Sequence, residues 1–456
     1  MPAYFASRAL LPSGWAHNVR LDVDDLGQFS QITPDALPDG AVCLHGDVVP
    51  GMPNLHSHAF QRVMAGLAEI AGDPQDSFWT WRDLMYRLLQ RLTPDQVAVI
   101  ARQLYIEMLK GGYTQVAEFH YLHHAPGGKR YADLGEMTAQ LSWAAEQAGI
   151  GLTLLPVLYS YAGFGAQPAQ AGQLRFIQDV DSYLRQQQVV ARQVATLREQ
   201  NQGICFHSLR AVELQQMQQV LAHSSDQLPV HIHIAEQQKE VNDCLAWSGQ
   251  RPVAWLYQQL AVDQRWCLVH ATHLDQGEIH SIAASQAVAG LCPSTEANLG
   301  DGIFPGVAYL QQQGRWGIGS DSHVSLSVVE ELRWFEYGQR LRDQRRNRLS
   351  TPQQPSVGDW LYQQALQGGA QACGVAIGKL AIGYRADWLV LDGDDPYLQG
   401  TPAVSLLNRW LFAGGQQQIR DVFVAGRQVI EQGQHHLQQQ SDAQFLQVLK
   451  ACQQEV

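Results

Sequence analysis

The chain has 456 residues, 45% of them hydrophobic and 16% charged, with 40 glycines, 19 prolines and a formal net charge of −12. These values exclude a disordered, collagen-like or coiled-coil chain, and the length suits one large α/β barrel with a smaller appended unit. The acidic balance argues against nucleic acid or an anionic membrane as a partner, because neither is drawn to such a surface at long range.

No uncharged apolar run approaches the ~20 residues that span a bilayer, and Met1 to Trp15 contains no secretory apolar core. Seven widely spaced cysteines, odd in number and without a C-x-x-C, suit reduced thiols. A soluble cytoplasmic protein is the expectation.

Residues 1–50 read as short β runs and turns. From 51 to 375, β-type runs alternate with helical patterns. Eight runs read as buried parallel strands: Gly51–Leu55, Thr114–Glu118, Gly151–Val157, Gly203–Phe206, Pro229–Ile234, Trp266–Val269, Ala287–Leu291 and Arg315–Gly319.

The clearest helix is Pro94–Lys110. Thr93 serves as N-cap, Pro94 sits in the first turn, Gln96 completes a capping box, and Gly111–Gly112 ends the run. Its apolar residues Val97, Ile100, Ala101, Leu104, Tyr105 and Met108 form one core-facing stripe. Asp133–Gln147, closed by Gly149, is a second helix. This alternation predicts a closed (β/α)8 barrel, of the TIM type.

Residues 376–456 return to β character, with Trp388–Leu391 and Asp421–Ala425 as strands. Asp442–Gln453 reads as a terminal helix with Phe445, Leu446, Val448 and Leu449 on its apolar face. The two flanks are expected to build one small β-sandwich beside the barrel. Short glutamine runs such as Gln186–Gln188 and Gln438–Gln440 read as neutral helix or loop surface.

Barrel enzymes carry their reactive groups at the C-terminal ends of the strands. Those positions hold His56-Ser57-His58 after strand one, Glu118, His120 and Tyr121 after strand two, and His207-Ser208-Leu209-Arg210 after strand four. His231, His233 and Glu236 belong to strand five, His270 to strand six, Cys292-Pro293-Ser294 to strand seven, and Ser320-Asp321 to strand eight.

Each has a plainer reading. A lone H-x-H can be a packed pair, and Asp321 alone could cap the next helix. His231 shares a strand face with His233; the latter is favoured because it lies nearer the strand's C-terminal end. Jointly, groups at four strand ends point to a metal at the barrel mouth.

Pro50-Gly51-Met52-Pro53-Asn54-Leu55-His56-Ser57-His58-Ala59-Phe60 resembles the first-strand signature of the amidohydrolase superfamily. His233-Ile234-Ala235-Glu236 is similar to the H-x-x-E of its deaminase branch, and Ser320-Asp321 to its eighth-strand aspartate. Gly378-Lys379-Leu380 and the run from Gly383 to Asp392 are similar to the superfamily's return into its small β domain. Dinuclear members use a carboxylated lysine at the end of strand four. Here that place reads His207, which implies the single-metal subtype.

Within the branch, the runs Asn54–Arg62, His207–Val212 and Ser294–Gly302 most resemble the formimidoylglutamate deiminase family of histidine degradation. That resemblance implies one Zn²⁺ per subunit held by His56, His58, His233 and Asp321; the same donors accommodate Fe²⁺. It implies substrate contacts from Gln61, Arg82, Tyr121, His207 and Arg210, and catalysis by Glu236, His270 and Asp321. The implied substrate is a small dicarboxylate, and the implied assembly a homodimer.

Physical chemistry supports the assignment. A metal in such a set lowers the pKa of water from ~15.7 towards ~7. Glu236 and Asp321 can move protons, and an arginine can grip a carboxylate. From sequence alone, Arg82 could instead pair with Asp83 or Asp76. The rival readings are a deaminase of guanine or a related heterocycle, and a catalytically silent metabolite-binding barrel.

Overall fold

The computed structural model describes residues 3–69 and 78–453. Its centre is a parallel barrel whose eight strands are Met52–Ser57, Tyr113–His120, Gly151–Leu158, Ile204–Ser208, Val230–Ile234, Trp266–His270, Val288–Leu291 and Arg315–Ile318, called strands one to eight below. All eight expected runs are strands, with ends shifted by at most two residues. Their side chains are almost wholly buried, as strands covered by helices on one face and by a filled barrel on the other must be.

Backbone ladders join each consecutive pair from strand one to strand eight. Closure between eight and one is made differently. The amides of Ser320 and Asp321 both donate to His56 O at 3.1 Å, and the Asn54 carboxamide bonds both Ser320 Oγ, at 2.7 Å, and Ser320 N, at 3.1 Å. Gly319 permits this approach, since a Cβ there would stand 2.7 Å from His56 Cβ. The seam therefore runs directly beneath the first H-x-H histidine.

Pro94–Lys110 is helical with both capping-box bonds present. The second expected helix begins three residues later than its pattern suggested, at Glu136, because Asp133 turns back to accept the Gly135 amide at 2.8 Å. Gly149 ends it in the left-handed region at φ 75°.

The strands of both flanks form one continuous hydrogen-bonded sheet. Gly46–Pro50 lies at its middle, paired on one side with Ala3–Leu11 and on the other with Trp388–Asp392. The sheet encloses its own core, in which Trp388 stacks on Phe423 at 4.4 Å and Tyr4 meets both edge-on. The terminal helix is Gln438–Gln453 and lies on the barrel helix Pro94–Lys110, bonded through Gln103 to Asp442 at 3.0 Å. Phe445, Val448 and Leu449 pack inward as expected; Leu446 does not, at 49% exposure, and Cys452 completes the contact instead. Among the described residues, no helix is long and apolar enough to cross a membrane.

Candidate active site

Strand one delivers His56 and His58 to the C-terminal mouth of the barrel, strand five delivers His233, and the turn after strand eight delivers Asp321. His56 Nε2 lies 3.2 Å from His58 Nε2 and 3.0 Å from His233 Nε2. Asp321 Oδ1 is 3.4 Å from both His56 Nε2 and His58 Nε2. His58 Nδ1 donates to Phe119 O at 2.7 Å, so its Nε2 is the bare nitrogen and faces the cluster.

Burial holds all three imidazoles below the ordinary histidine range, His56 down to about 3. Burial would raise the Asp321 carboxyl, but its bond to His56 and the charges of His56, His270 and His58 outweigh that and leave it depressed. Neutral imidazole nitrogens crowding a carboxylate in a buried site are the donor set a divalent cation takes, so the residues present fit one. His231 is elsewhere: its Nε2 bonds Ala372 O at 2.8 Å, in the barrel interior.

Beside this cluster stand Glu236 and His270. His270 Nε2 is 3.8 Å from Glu236 Oε1 and 3.9 Å from Asp321 Oδ2, while its Nδ1 faces Glu296 Oε1 at 3.4 Å. Burial alone would lower His270, but Glu236, Glu296 and Asp321 carry it up to about 10. Burial lifts the Glu236 carboxyl to about 7 against the pull of His270 and Arg210. A carboxyl near 7 is matched to giving and taking a proton at neutral pH.

The backbone beneath these groups is unusual. Ala235, His270 and Asp321, at the ends of strands five, six and eight, all have positive φ, of 51°, 68° and 46°. Non-glycine residues hold that conformation only where their surroundings enforce it, and such positions concentrate at functional sites.

One cavity joins these groups to the substrate candidates. His58, Gln61, Arg82, Tyr121, His207, Arg210, His233, Glu236, His270 and Asp321 all line it. Gln61 Nε2 donates to Tyr121 Oη at 3.2 Å, beside His58. The His207 ring packs between Tyr159, at 4.3 Å, and His233, at 5.1 Å. The Arg82 guanidinium lies 5.3 Å from the centre of the Tyr86 ring, and the exposed Asp83 carboxylate is 3.9 Å away. Asp76 lies outside the described residues.

The cavity also contains residues that the strand-end reading passed over. Trp81, Met85 and Tyr86 come from the helix Phe78–Leu89, and Tyr159 follows strand three directly. The signal for Tyr159 was present, since it occupies the strand-end position that was read at the other strands. Glu118 points into the fold rather than the cavity, accepting from Ser57 Oγ and Ala59 N at 2.6 Å each.

Residues 48–429 match the amidohydrolase family model. The chain belongs to the amidohydrolase family. Residues 1–46 match a second model, the N-terminal domain of formimidoylglutamate deiminase HutF. Among curated amidohydrolase relatives, the formimidoylglutamate deiminase of Pseudomonas aeruginosa is 64% identical over 98% of this chain and 99% of its own. A 5-methylthioadenosine/S-adenosylhomocysteine deaminase of Natronomonas pharaonis is 26% identical over 87% of this chain and 84% of its own.

Of solved amidohydrolase structures, one from Brucella melitensis superposes with a TM-score of 0.94 at 42% identity, covering 99% of this chain and 100% of that one. A zinc-bound adenosine deaminase from Xanthomonas campestris shares the fold, with a TM-score of 0.81 at 21% identity over 99% and 98% of the two chains.

Proposed function

We propose that this chain is a metal-dependent formimidoylglutamate deiminase that hydrolyses N-formimino-L-glutamate to N-formyl-L-glutamate and ammonia. The observation that carries the reading is the lining of one cavity. Residues of the histidine–carboxylate cluster, the acid–base candidate Glu236 and the two cations Arg82 and Arg210 share it. A substrate with a reactive amidine and two carboxylates meets both sets of groups.

His56, His58, His233 and Asp321 would hold the metal, one Zn²⁺. When bound, the ion supplies the Lewis acidity that makes water nucleophilic at neutral pH. Asp321 accepts the proton of the attacking water and His270 orients that water towards the amidine carbon. A C–O bond forms, the C=N pair moves to nitrogen, and Glu236 protonates that nitrogen. The new hydroxyl gives its proton to Glu236, which passes it to the same nitrogen as the C–N bond breaks; ammonia leaves, the carbon becomes the formyl carbonyl, and the proton held by Asp321 returns Glu236 to its acid form. Arg82 and Arg210 hold the carboxylates, with Gln61, Tyr121 and His207 fixing the substrate chain between them. The enzyme works in this proposal as a homodimer in the cytoplasm.

Ammonia release from N-formimino-L-glutamate, with formylglutamate identified as the second product, is the test. Chelation should abolish the activity and zinc restore it. Appearance of glutamate in place of formylglutamate, or deamination of guanine with no action on formiminoglutamate, overturns the reading.

A further inference from the structure

Behind the cavity wall, Gln173 joins two tyrosines that line the cavity. Gln173 Oε1 accepts the backbone amide of Gln170 at 2.9 Å. A backbone N–H can only donate, so this bond fixes which end of the carboxamide faces it. The amide nitrogen is therefore turned to the other side, where Nε2 donates to Tyr159 Oη at 2.8 Å and to Tyr86 Oη at 3.4 Å. Gln173 is fully buried and its donors and acceptor are all engaged.

With their oxygens already accepting, the two phenols keep their own protons for other acceptors. Tyr86 and Tyr159 are close enough to interact with each other, which uses at most one of the two protons. Burial raises the Tyr159 phenol well above its ordinary range, so it stays a donor at any working pH. Both rings line the cavity together with Arg82 and Arg210, which have no acceptor atoms at all. This corner consequently presents donors from two phenols and two guanidinium groups. An anion with several oxygens satisfies it.

We propose that Tyr159 and Tyr86, oriented by Gln173, form with the neighbouring arginines a subsite that binds one carboxylate of the substrate and sets specificity for a dicarboxylate. The inference rests on the deiminase reading above and adds residues to it: Tyr159 and Tyr86 touch the carboxylate, and Gln173 is a positioning residue that touches no substrate. Arg82 and Arg210 neutralise the charge, while the phenols fix where the oxygens lie.

The test compares Tyr159→Phe and Gln173→Leu with the parent enzyme on three compounds. These are N-formimino-L-glutamate and its two analogues lacking either the α- or the side-chain carboxylate. Losing a hydrogen bond to a charged group lowers kcat/KM roughly 10- to 100-fold. That loss is expected in Tyr159→Phe as a rise in KM for formiminoglutamate, with turnover at saturation and metal content held. Gln173→Leu should reproduce a smaller rise in KM.

One analogue, the one missing the carboxylate served here, should react equally with parent and Tyr159→Phe. An equal loss on all three compounds, or no loss on any, overturns the subsite. Failure of the underlying reading looks different, since the parent itself would then release no ammonia from formiminoglutamate.

Discussion

Glu236 and Arg210 line the same cavity, and their replacements should fail in different ways. Glu236 clusters with His270 and Asp301 rather than with His56, His58 and His233, and burial lifts its carboxyl to about 7. Glu236→Gln keeps size and polarity but cannot shuttle a proton. Turnover should fall roughly 10²–10⁴-fold while metal analysis still finds the ion. Near-normal turnover would remove Glu236 from the proton path.

Arg210 is partly buried, and the carboxylates of Glu240 and Glu236 secure its charge against burial. Arg210→Met keeps much of the stem and loses the charge. Breaking a buried ion pair from one side costs ~3–5 kcal/mol, so kcat/KM for formiminoglutamate should fall about 10²–10³-fold or more at ~1.36 kcal/mol per decade. A substrate lacking the contacted carboxylate should lose little further. An equal large loss on both substrates would mean that Arg210 supports the fold instead.

At the level of elements, the strand ends are held by buried carboxylates that accept backbone amides. Glu118 takes the amide of Ala59 after strand one, Glu296 that of Cys292 after strand seven, and Glu331 that of Ser294 at 2.8 Å. Glu240 does this for strand five, accepting Ala235 N at 3.2 Å and Glu236 N at 3.1 Å. It thereby fixes the positive-φ turn that aims Glu236. Glu240→Gln places an amide nitrogen against one of two N–H donors, so one of them stays unsatisfied. That should destabilise the protein by ~1–3 kcal/mol and lower kcat more than it changes KM. Unchanged melting and turnover would show that the turn holds itself.

These fasteners explain what the sequence could and could not disclose. His56, His58, His233 and Asp321 were legible because strand ends converge by the geometry of any parallel barrel. Even His231 was separable from His233, by its depth along the strand. Tyr86 and Met85 were not legible. They ride on Phe78–Leu89, a helix in the connection after strand one, whose placement over the cavity depends on tertiary contacts. Gln173 was hidden for the same reason, ending a single 3-10 turn, Ala171–Gln173, too short for any periodicity to mark a buried residue. Leu446 erred in the opposite sense, because its pattern fitted a face that the barrel helix covers only in part.

Across the whole molecule, neutral histidines are buried outside the cavity lining as well as in it. Burial lowers His123 well below its ordinary range and His435 to about 4. His435 Nε2 donates to Ala148 O at 3.0 Å and its Nδ1 accepts from Leu437 N at 3.1 Å, so only the neutral ring satisfies both bonds. Each such group has a folded pKa below its unfolded value near 6.5. The stability it contributes is complete above ~6.5 and is lost as the pH falls from there towards 4, because the unfolded chain binds the extra protons. Denaturant midpoints should therefore decline between pH 6.5 and 4. His435→Gln should flatten that decline, and an identical slope in the variant would place the acid sensitivity elsewhere.

The sheet centred on Gly46–Pro50 has a consequence for how the chain is made. On a ribosome, this strand emerges with Ala3–Leu11 available for one edge, while the strand for its other edge, Trp388–Asp392, is not yet synthesised. An unpaired edge is a template for wrong partners, and it stays bare while the entire barrel is translated. At ~5–20 residues per second that exposure lasts on the order of half a minute. Nascent chains arrested before residue 388 should be cleaved by protease within residues 1–50. Those extended past Arg427–Ile430, the last strand of the sheet, should resist.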